Sequence, residues 1–197
     1  LPKRITLFNG RRVIAVATGD DLVPPQEVRA AFGTHEVEIL TRPDSHELRE
    51  NATFLPLLEC VADPDPKAAT FYAHAKGVAK DVLCLGDPLG SRYWRNAMYH
   101  ELLDDWERIA ELLIDHAVVG THRRQHSEQP RIYPDGQSES PWHFAGTFFW
   151  FRNRDAFATT KWRDLWQPTG WGAEAWPGRM FEFDQSACVA YDGLAEC

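Results

Sequence analysis

The run Arg12-Val-Ile-Ala-Val-Ala-Thr18 restricts the folds open to this chain more than any other stretch. It is apolar on both faces, so a strand built from it needs cover above and below, as a central strand of a parallel sheet does. Asn9-Gly10 ahead of it is a turn signal, and Gly19-Asp-Asp21 closes it. Pro24-Pro25 then opens a helix over 26–32, and Gly33 stops it. Residues 36–41 read as a second strand. A helix capped by Asp44 or Ser45 follows, running to about Val61, with Leu48, Phe54, Leu55, Leu57, Leu58 and Val61 on its apolar face. Pro56 predicts a break or kink near Thr53. Asp63-Pro-Asp-Pro66 is a rigid turn, and 70–73 is a third strand. The order β-α-β-α-β predicts an α/β fold, a single open and mostly parallel sheet flanked by helices.

The second half continues this plan. Residues 79–91 read as a loop with Gly86, Pro88 and Gly90. Residues 93–117 read as one long helix, with Trp94, Met98, Leu102, Trp106, Ile109 and Leu113 at helical spacing as core. A short strand over 117–120 precedes a polar loop, 121–141, that holds His122, Arg123, Arg124 and His126. Residues 142–152 are a dense aromatic strand, in which Gly146 predicts a bulge or close backbone approach. Residues 154–166 are expected to be helical. Residues 170–178 form a glycine-framed loop around Glu174, and 181–188 a last helix. The length of 197 residues suits one domain spanning 1–197, and a first residue other than Met suits a processed product or an excerpt of a longer chain.

Charge and cysteine usage narrow the function. The net charge of -8 argues against a general nucleic-acid binder, which needs a basic surface. Cys60, Cys84, Cys188 and Cys197 lack the paired spacing of a zinc knuckle or a redox CxxC, so reduced thiols in a cytoplasmic protein are expected. No apolar run approaches the length of a membrane span. The chain lacks GxSxG, HExxH, GxGxxG and P-loop patterns.

Open α/β sheets bind ligands at the carboxyl ends of their strands. That rule groups Thr18, Asp20 and Asp21 after the first strand, Arg42 after the second, and His74, Lys76 and Gly77 after the third. His74, Lys76 and the backbone N–H groups near Gly77 suit an anionic ligand. Asp63-x-Asp65 has the spacing of a cation-binding pair but precedes its strand, which places it at the opposite edge. Asp20 and Asp21 are the carboxylates at the correct edge for a divalent cation. Glu174 is the candidate general base: flanking glycines let its loop approach a ligand, and Trp171 and Trp176 beside it would desolvate the carboxylate and raise its pKa. His143, Trp171 and Trp176 are candidates for an acceptor or sugar pocket.

An ordered set of segments adds a resemblance. Asn-Gly-Arg-Arg-Val-Ile-Ala-Val (9–16), Leu-Arg-Glu-Asn-Ala-Thr-Phe-Leu-Pro-Leu-Leu (48–58), Tyr-Ala-His-Ala-Lys-Gly (72–77), Trp-Arg-Asn-Ala-Met-Tyr (94–99), Val-Val-Gly (118–120), His-Phe-Ala-Gly-Thr-Phe-Phe-Trp (143–150) and Glu-Ala-Trp-Pro (174–177) together resemble bacterial nucleotide-diphospho-sugar transferase-like proteins. The His-x-Lys segment and the Gly-Thr-Phe-Phe-Trp strand are also similar to rhamnan-synthesis-type glycosyltransferase domains. The resemblance implies a GT-A-like fold, a sugar-nucleotide donor, a glycan or other hydroxyl acceptor and a role in polysaccharide or glycoconjugate synthesis. Mn2+ or Mg2+ is the cation such enzymes use, although this chain has no DxD at the expected strand end.

In the resulting scheme Thr18, Arg42, His74, Lys76 and Gly77 meet the donor and Glu174 acts as base. A non-catalytic carbohydrate- or nucleotide-binding domain and a nucleotide-sugar hydrolase are the competing readings. If Lys76 meets the diphosphate, Lys76→Ala weakens UDP or GDP binding by roughly 1–3 kcal/mol, the value of a charge-assisted hydrogen bond. Calorimetry showing unchanged affinity would retire that role.

Overall fold

The computed structural model describes residues 2–19, 22–74, 88–125, 131–132 and 139–194. Strand β1 (Val13–Thr18), helix α1 (Pro25–Ala30), strand β2 (Glu38–Pro43) and helix α2 (Asn51–Val61) come first. The two strands pair in parallel, Val13 opposite Glu38 and Thr18 opposite Pro43, as the intervening helix requires. The second helix starts later than expected. Ser45 Oγ caps only a turn, accepting from the Leu48 N–H at 3.1 Å, and Arg49 at φ 51° interrupts the path before α2 begins. Helix α2 then runs through Pro56.

Strand β3 (Ala69–Tyr72) follows, then helix α3 (Pro88–Tyr99), a π-helical turn (His100–Asp104) and helix α4 (Trp106–Asp115). The expected single helix is therefore divided. A π turn inserts extra chain into the helical ladder and rotates everything beyond it. Met98, Leu102 and Ile109 still reach the core, but Trp106 is turned outward and is 49% exposed. Arg4 clamps the turn, donating to both Asp104 carboxylate oxygens at 2.5 and 2.6 Å and holding that carboxyl down at a pKa of about 2.

The remaining elements are β4 (Val118–Gly120), β5 (Arg123–Gln125), β6 (Arg131–Ile132), β7 (Glu139–Ser140), β8 (Trp142–Phe144), β9 (Phe149–Arg152), α5 (Asn153–Phe157), α6 (Lys161–Asp164), α7 (Gly172–Met180), β10 (Ser186–Cys188) and β11 (Gly193–Leu194). Two expectations change here. The glycine-framed loop at 170–178 is mostly helix α7, and the last helix is instead a 3-10 turn (Phe183–Gln185) leading into β10. Glu182, the N-cap, and Gln185 bond reciprocally and so fix the start of that turn.

The fold is mixed α/β, but pairing among the described residues is divided among four small sheets rather than joined in the single open sheet expected. The largest has the order β10-β4-β9-β3. β10 is parallel to β4, and β9 runs antiparallel to both β4 and β3. Strands β3, β4 and β10 therefore point one way, with β9 reversed between two of them. The aromatic stretch is folded into two strands: β9 faces β4, and β8 faces β5, with a break at 121–122 opposite 145–148.

Both faces of the large sheet are covered, which explains why β9 is aromatic from Phe149 to Phe151. Phe149 and Phe151 lie in one cluster with Phe54 and Leu58 of α2 and Trp176 of α7. Phe148 lies in the other with Met98, Leu102 and Ile109, against which Trp150 and Phe71 pack. A third cluster of Ile5, Phe32 and Val37 closes the β1–β2 unit, and Phe8 bridges to the large sheet by stacking on Phe71 and Trp150 at 5.9 and 5.6 Å.

Candidate functional site

The carboxyl ends of β3, β4 and β10 share one edge with the amino end of β9, the position at which α/β sheets bind ligands. His74 follows β3 there. Its Nε2 lies 3.1 Å from the Gly146 carbonyl oxygen, and its ring meets Phe148 edge-on at 5.8 Å. Gly146 has φ 104°, and a Cβ on it would lie 2.8 Å from Met98 Sδ, so the close approach anticipated from the sequence is present.

Backbone strain gathers at the same edge. Among the described residues four non-glycine positions have positive φ, and three of them are here: His122 (54°), Thr147 (59°) and Tyr191 (59°). For a β-branched residue such as Thr147 this is an outlier, and each such residue costs of order 1–3 kcal/mol. Thr121 Oγ1, Thr147 Oγ1 and His122 Nδ1 are buried without a hydrogen-bond partner among the described residues. Trp94 fixes the His122 tautomer. Its indole N–H can only donate, and it donates to His122 Nε2 at 3.1 Å, so the imidazole proton sits on Nδ1.

Burial, then the charge of Arg124, lowers the His122 pKa below its ordinary 6.5. A folded value below the unfolded one gives a sign. The stability contribution is full above about pH 6.5 and is lost as pH falls toward the folded value, because the unfolded chain takes up the proton first. The groups facing the ring are the Trp94 indole, Tyr191 and Arg124. His122→Asn, which tolerates the positive φ, should flatten the fall in melting temperature below that pH; an unchanged profile would refute the assignment.

Glu174 lies in the first turn of α7 and is buried, with Oε1 3.4 Å from Nε2 of the fully buried His143 on β8. That separation is long for a hydrogen bond but keeps the pair in electrostatic contact. Gly178, one turn after Glu174, sits against the edge of β8, where an added Cβ would fall 1.9 Å from the Trp142 carbonyl oxygen. Gly172 meets the Gln167 carbonyl at the same distance. Gly178 allows helix-to-strand contact, which brings Glu174 to His143, and Gly172 lets the start of α7 close on the segment before it. A buried carboxylate beside an imidazole can accept a proton from a hydroxyl and hold it.

The two tryptophans beside Glu174 differ. Trp171 is half-buried at the start of α7, with the Arg49 guanidinium over its ring at 5.5 Å. Trp176 is fully buried among Phe54, Phe149, Phe151 and Phe181, and its indole N–H donates to the Trp162 carbonyl at 3.0 Å. It belongs to the core and has no face left for a sugar, which corrects its expected place in the pocket.

Thr18 and Arg42 are brought together at the carboxyl end of the β1–β2 pair. The Thr18 hydroxyl donates to the Arg42 carbonyl at 3.2 Å, and the exposed Arg42 guanidinium donates to the Thr41 carbonyl at 3.0 Å. Asp20, Asp21, Lys76 and Gly77 lie outside the described residues. Asp63 and Asp65 each accept a backbone N–H two residues on, at 3.1 and 2.9 Å, the arrangement of a turn. No cluster of three or more His, Cys, Asp or Glu side chains poised for a metal occurs among the described residues. No helix among them is long and apolar enough to cross a membrane.

In the sequence His122 and Thr121 fall at the start of a polar loop, and Thr147 lies inside the aromatic stretch. The signal that could have found the first two is their position directly after a buried strand. Thr147 carries no such signal, because its φ is a property of the folded turn. No protein-family model, curated protein or solved structure matches the chain.

Proposed function

We propose that the protein is a glycosyltransferase of GT-A-like fold that uses a nucleotide-diphosphate sugar donor in polysaccharide or glycoconjugate synthesis. The observation that carries the reading is the buried Glu174–His143 pair. Support comes from the shared carboxyl edge holding His74 and from the ordered resemblance of the segments. Glu174 takes the proton of an acceptor hydroxyl as its oxygen forms a bond to the anomeric carbon of the donor. The bond from that carbon to the diphosphate oxygen breaks, and the nucleoside diphosphate leaves with the electron pair. His74, Lys76 and Arg42 meet the charge of the leaving group. His143 holds the Glu174 carboxylate in place, and a single in-line displacement inverts the sugar carbon.

The reading is tested by melting the protein against a panel of sugar nucleotides, with and without manganese. A donor that binds only the folded protein raises the melting temperature, and the manganese arm reads any dependence on a divalent cation. Stabilisation by one nucleotide class followed by release of nucleoside diphosphate on adding glycan acceptors supports transfer. Binding without turnover assigns the non-catalytic domain, release of free sugar without an acceptor assigns the hydrolase, and no binding removes the donor class.

A further inference from the structure

Tyr191 is held in a way that an ordinary surface tyrosine is not. It is 71% exposed, yet its ring stacks on His122 at 4.5 Å and an interplanar angle of 24°. One face of the phenol is therefore backed by the imidazole and the other is open to solvent. His122 is itself fixed from three sides. Its N–H donates to the Ala190 carbonyl at 2.8 Å, its carbonyl accepts from the Ala145 N–H at 3.0 Å, and its Nε2 accepts the Trp94 indole N–H. The residue after Tyr191 is pinned as well: both Asp192 carboxylate oxygens accept from Arg123, at 3.0 and 2.5 Å. His122 and Tyr191 both keep positive φ to make the stack. A free surface tyrosine would relax to negative φ and sample several rotamers, so this arrangement carries strain and removes freedom to keep one aromatic face outward.

We infer that Tyr191 is an aromatic platform on which a pyranose ring of a neutral glycan stacks. A rigid, half-covered ring binds a sugar face without an ordering cost at the moment of binding. The Asp192 carboxylate beside it retains lone pairs for sugar hydroxyls, since Arg123 engages each oxygen once. A carboxylate that accepts from hydroxyls suits the acceptor better than the diphosphate of the donor. Position agrees. Tyr191 follows β10, three strand spacings from β3 and His74 in the order β10-β4-β9-β3, or roughly 14 Å at about 4.8 Å per strand. That distance suits a different sugar unit from the one joined to the diphosphate. Assigning the platform to the acceptor rests on the transferase reading; the sugar contact itself does not.

The test uses methyl α-D-glucopyranoside, methyl α-D-mannopyranoside and methyl α-L-rhamnopyranoside as probes, with binding read by saturation-transfer NMR on the full chain. At least one should bind, Tyr191→Ala should weaken it about tenfold or more, and Tyr191→Phe should bind within about twofold of the wild type, because stacking needs the ring and not the hydroxyl. His122→Ala, which removes the backing, should fall between them. Failure of all three probes to bind, or wild-type affinity in Tyr191→Ala, would overturn the platform. Melting shifts with sugar nucleotides, measured on the same variants, separate the two ideas. Pyranoside binding lost in Tyr191→Ala with no sugar-nucleotide shift in any variant keeps the platform and removes the transferase. Intact nucleotide binding with no effect of Tyr191 on any pyranoside does the reverse.

Discussion

Glu174→Gln is expected to lower turnover by roughly 10²–10⁴-fold while leaving donor affinity nearly unchanged. Gln keeps the size of the side chain and its place beside His143 on β8, but it cannot accept a proton. The effect should therefore appear in kcat and not in the melting shift produced by the donor. Release of nucleoside diphosphate, measured with the donor found in the melting screen, gives the first quantity, and calorimetry gives the second. Turnover within a few fold of wild type would remove Glu174 as the base. Loss of donor binding together with turnover would make Glu174 a binding group instead. His143→Gln serves as the companion variant: if His143 only orients the carboxylate, the loss should be smaller and kcat should fall more than KM rises.

Gly178→Ala should lower the melting temperature by about 2–12 °C, against the usual expectation for a helix. An interior glycine normally costs a helix about 1 kcal/mol relative to alanine, so the substitution should stabilise an unconstrained one. Here the new Cβ would lie 1.9 Å from the Trp142 carbonyl oxygen and 2.3 Å from Ser140 Oγ. Trp142 is fully buried and its carbonyl belongs to β8, so that oxygen cannot move without shifting the strand that carries His143. Overpacking of this kind costs about 1–3 kcal/mol, and more where backbone must move; each kilocalorie lowers the melting temperature of a chain this size by about 2–4 °C. Gly10→Ala is the control, because nothing lies within 4 Å of the added atom. A Gly178→Ala protein that melts at or above the wild-type temperature would show that α7 does not seat on β8 as described. If it does seat there, the variant should also lose activity, because the same contact positions Glu174.

Local pattern was enough for the first part of the chain. The apolar run at Val13–Thr18, the Pro24-Pro25 helix start and the alternation ahead of Pro43 are short-range signals, and the structure has β1, α1 and β2 close to where they were expected. The core role of Met98 and Leu102 and the bend at Gly146 were legible for the same reason. The π turn at His100–Asp104 was not: helical spacing continues through it on paper, while the inserted chain rotates Trp106 outward. The glycines at 172 and 178 misled in the opposite direction. They resemble loop residues in a window of ten, and their reason for being glycine is close packing, at the Gln167 carbonyl just before α7 and at the Trp142 carbonyl of β8.

The same division runs through the candidate site. The sequence by itself determined that the chain is α/β and that its net charge is strongly negative, and it marked His74 and Glu174 as candidates. Those conclusions rest on composition and on contacts between neighbours in the chain. Only the tertiary structure decided that His143 meets Glu174, that Trp176 is core, and that Trp94, His122 and Tyr191 are connected, edge-on and then stacked. Each of these depends on which strand lies beside which and on which face a side chain takes after a break in the ladder. A two-residue interruption at 121–122 opposite 145–148 sets those faces, and hydrophobic periodicity carries no information about it.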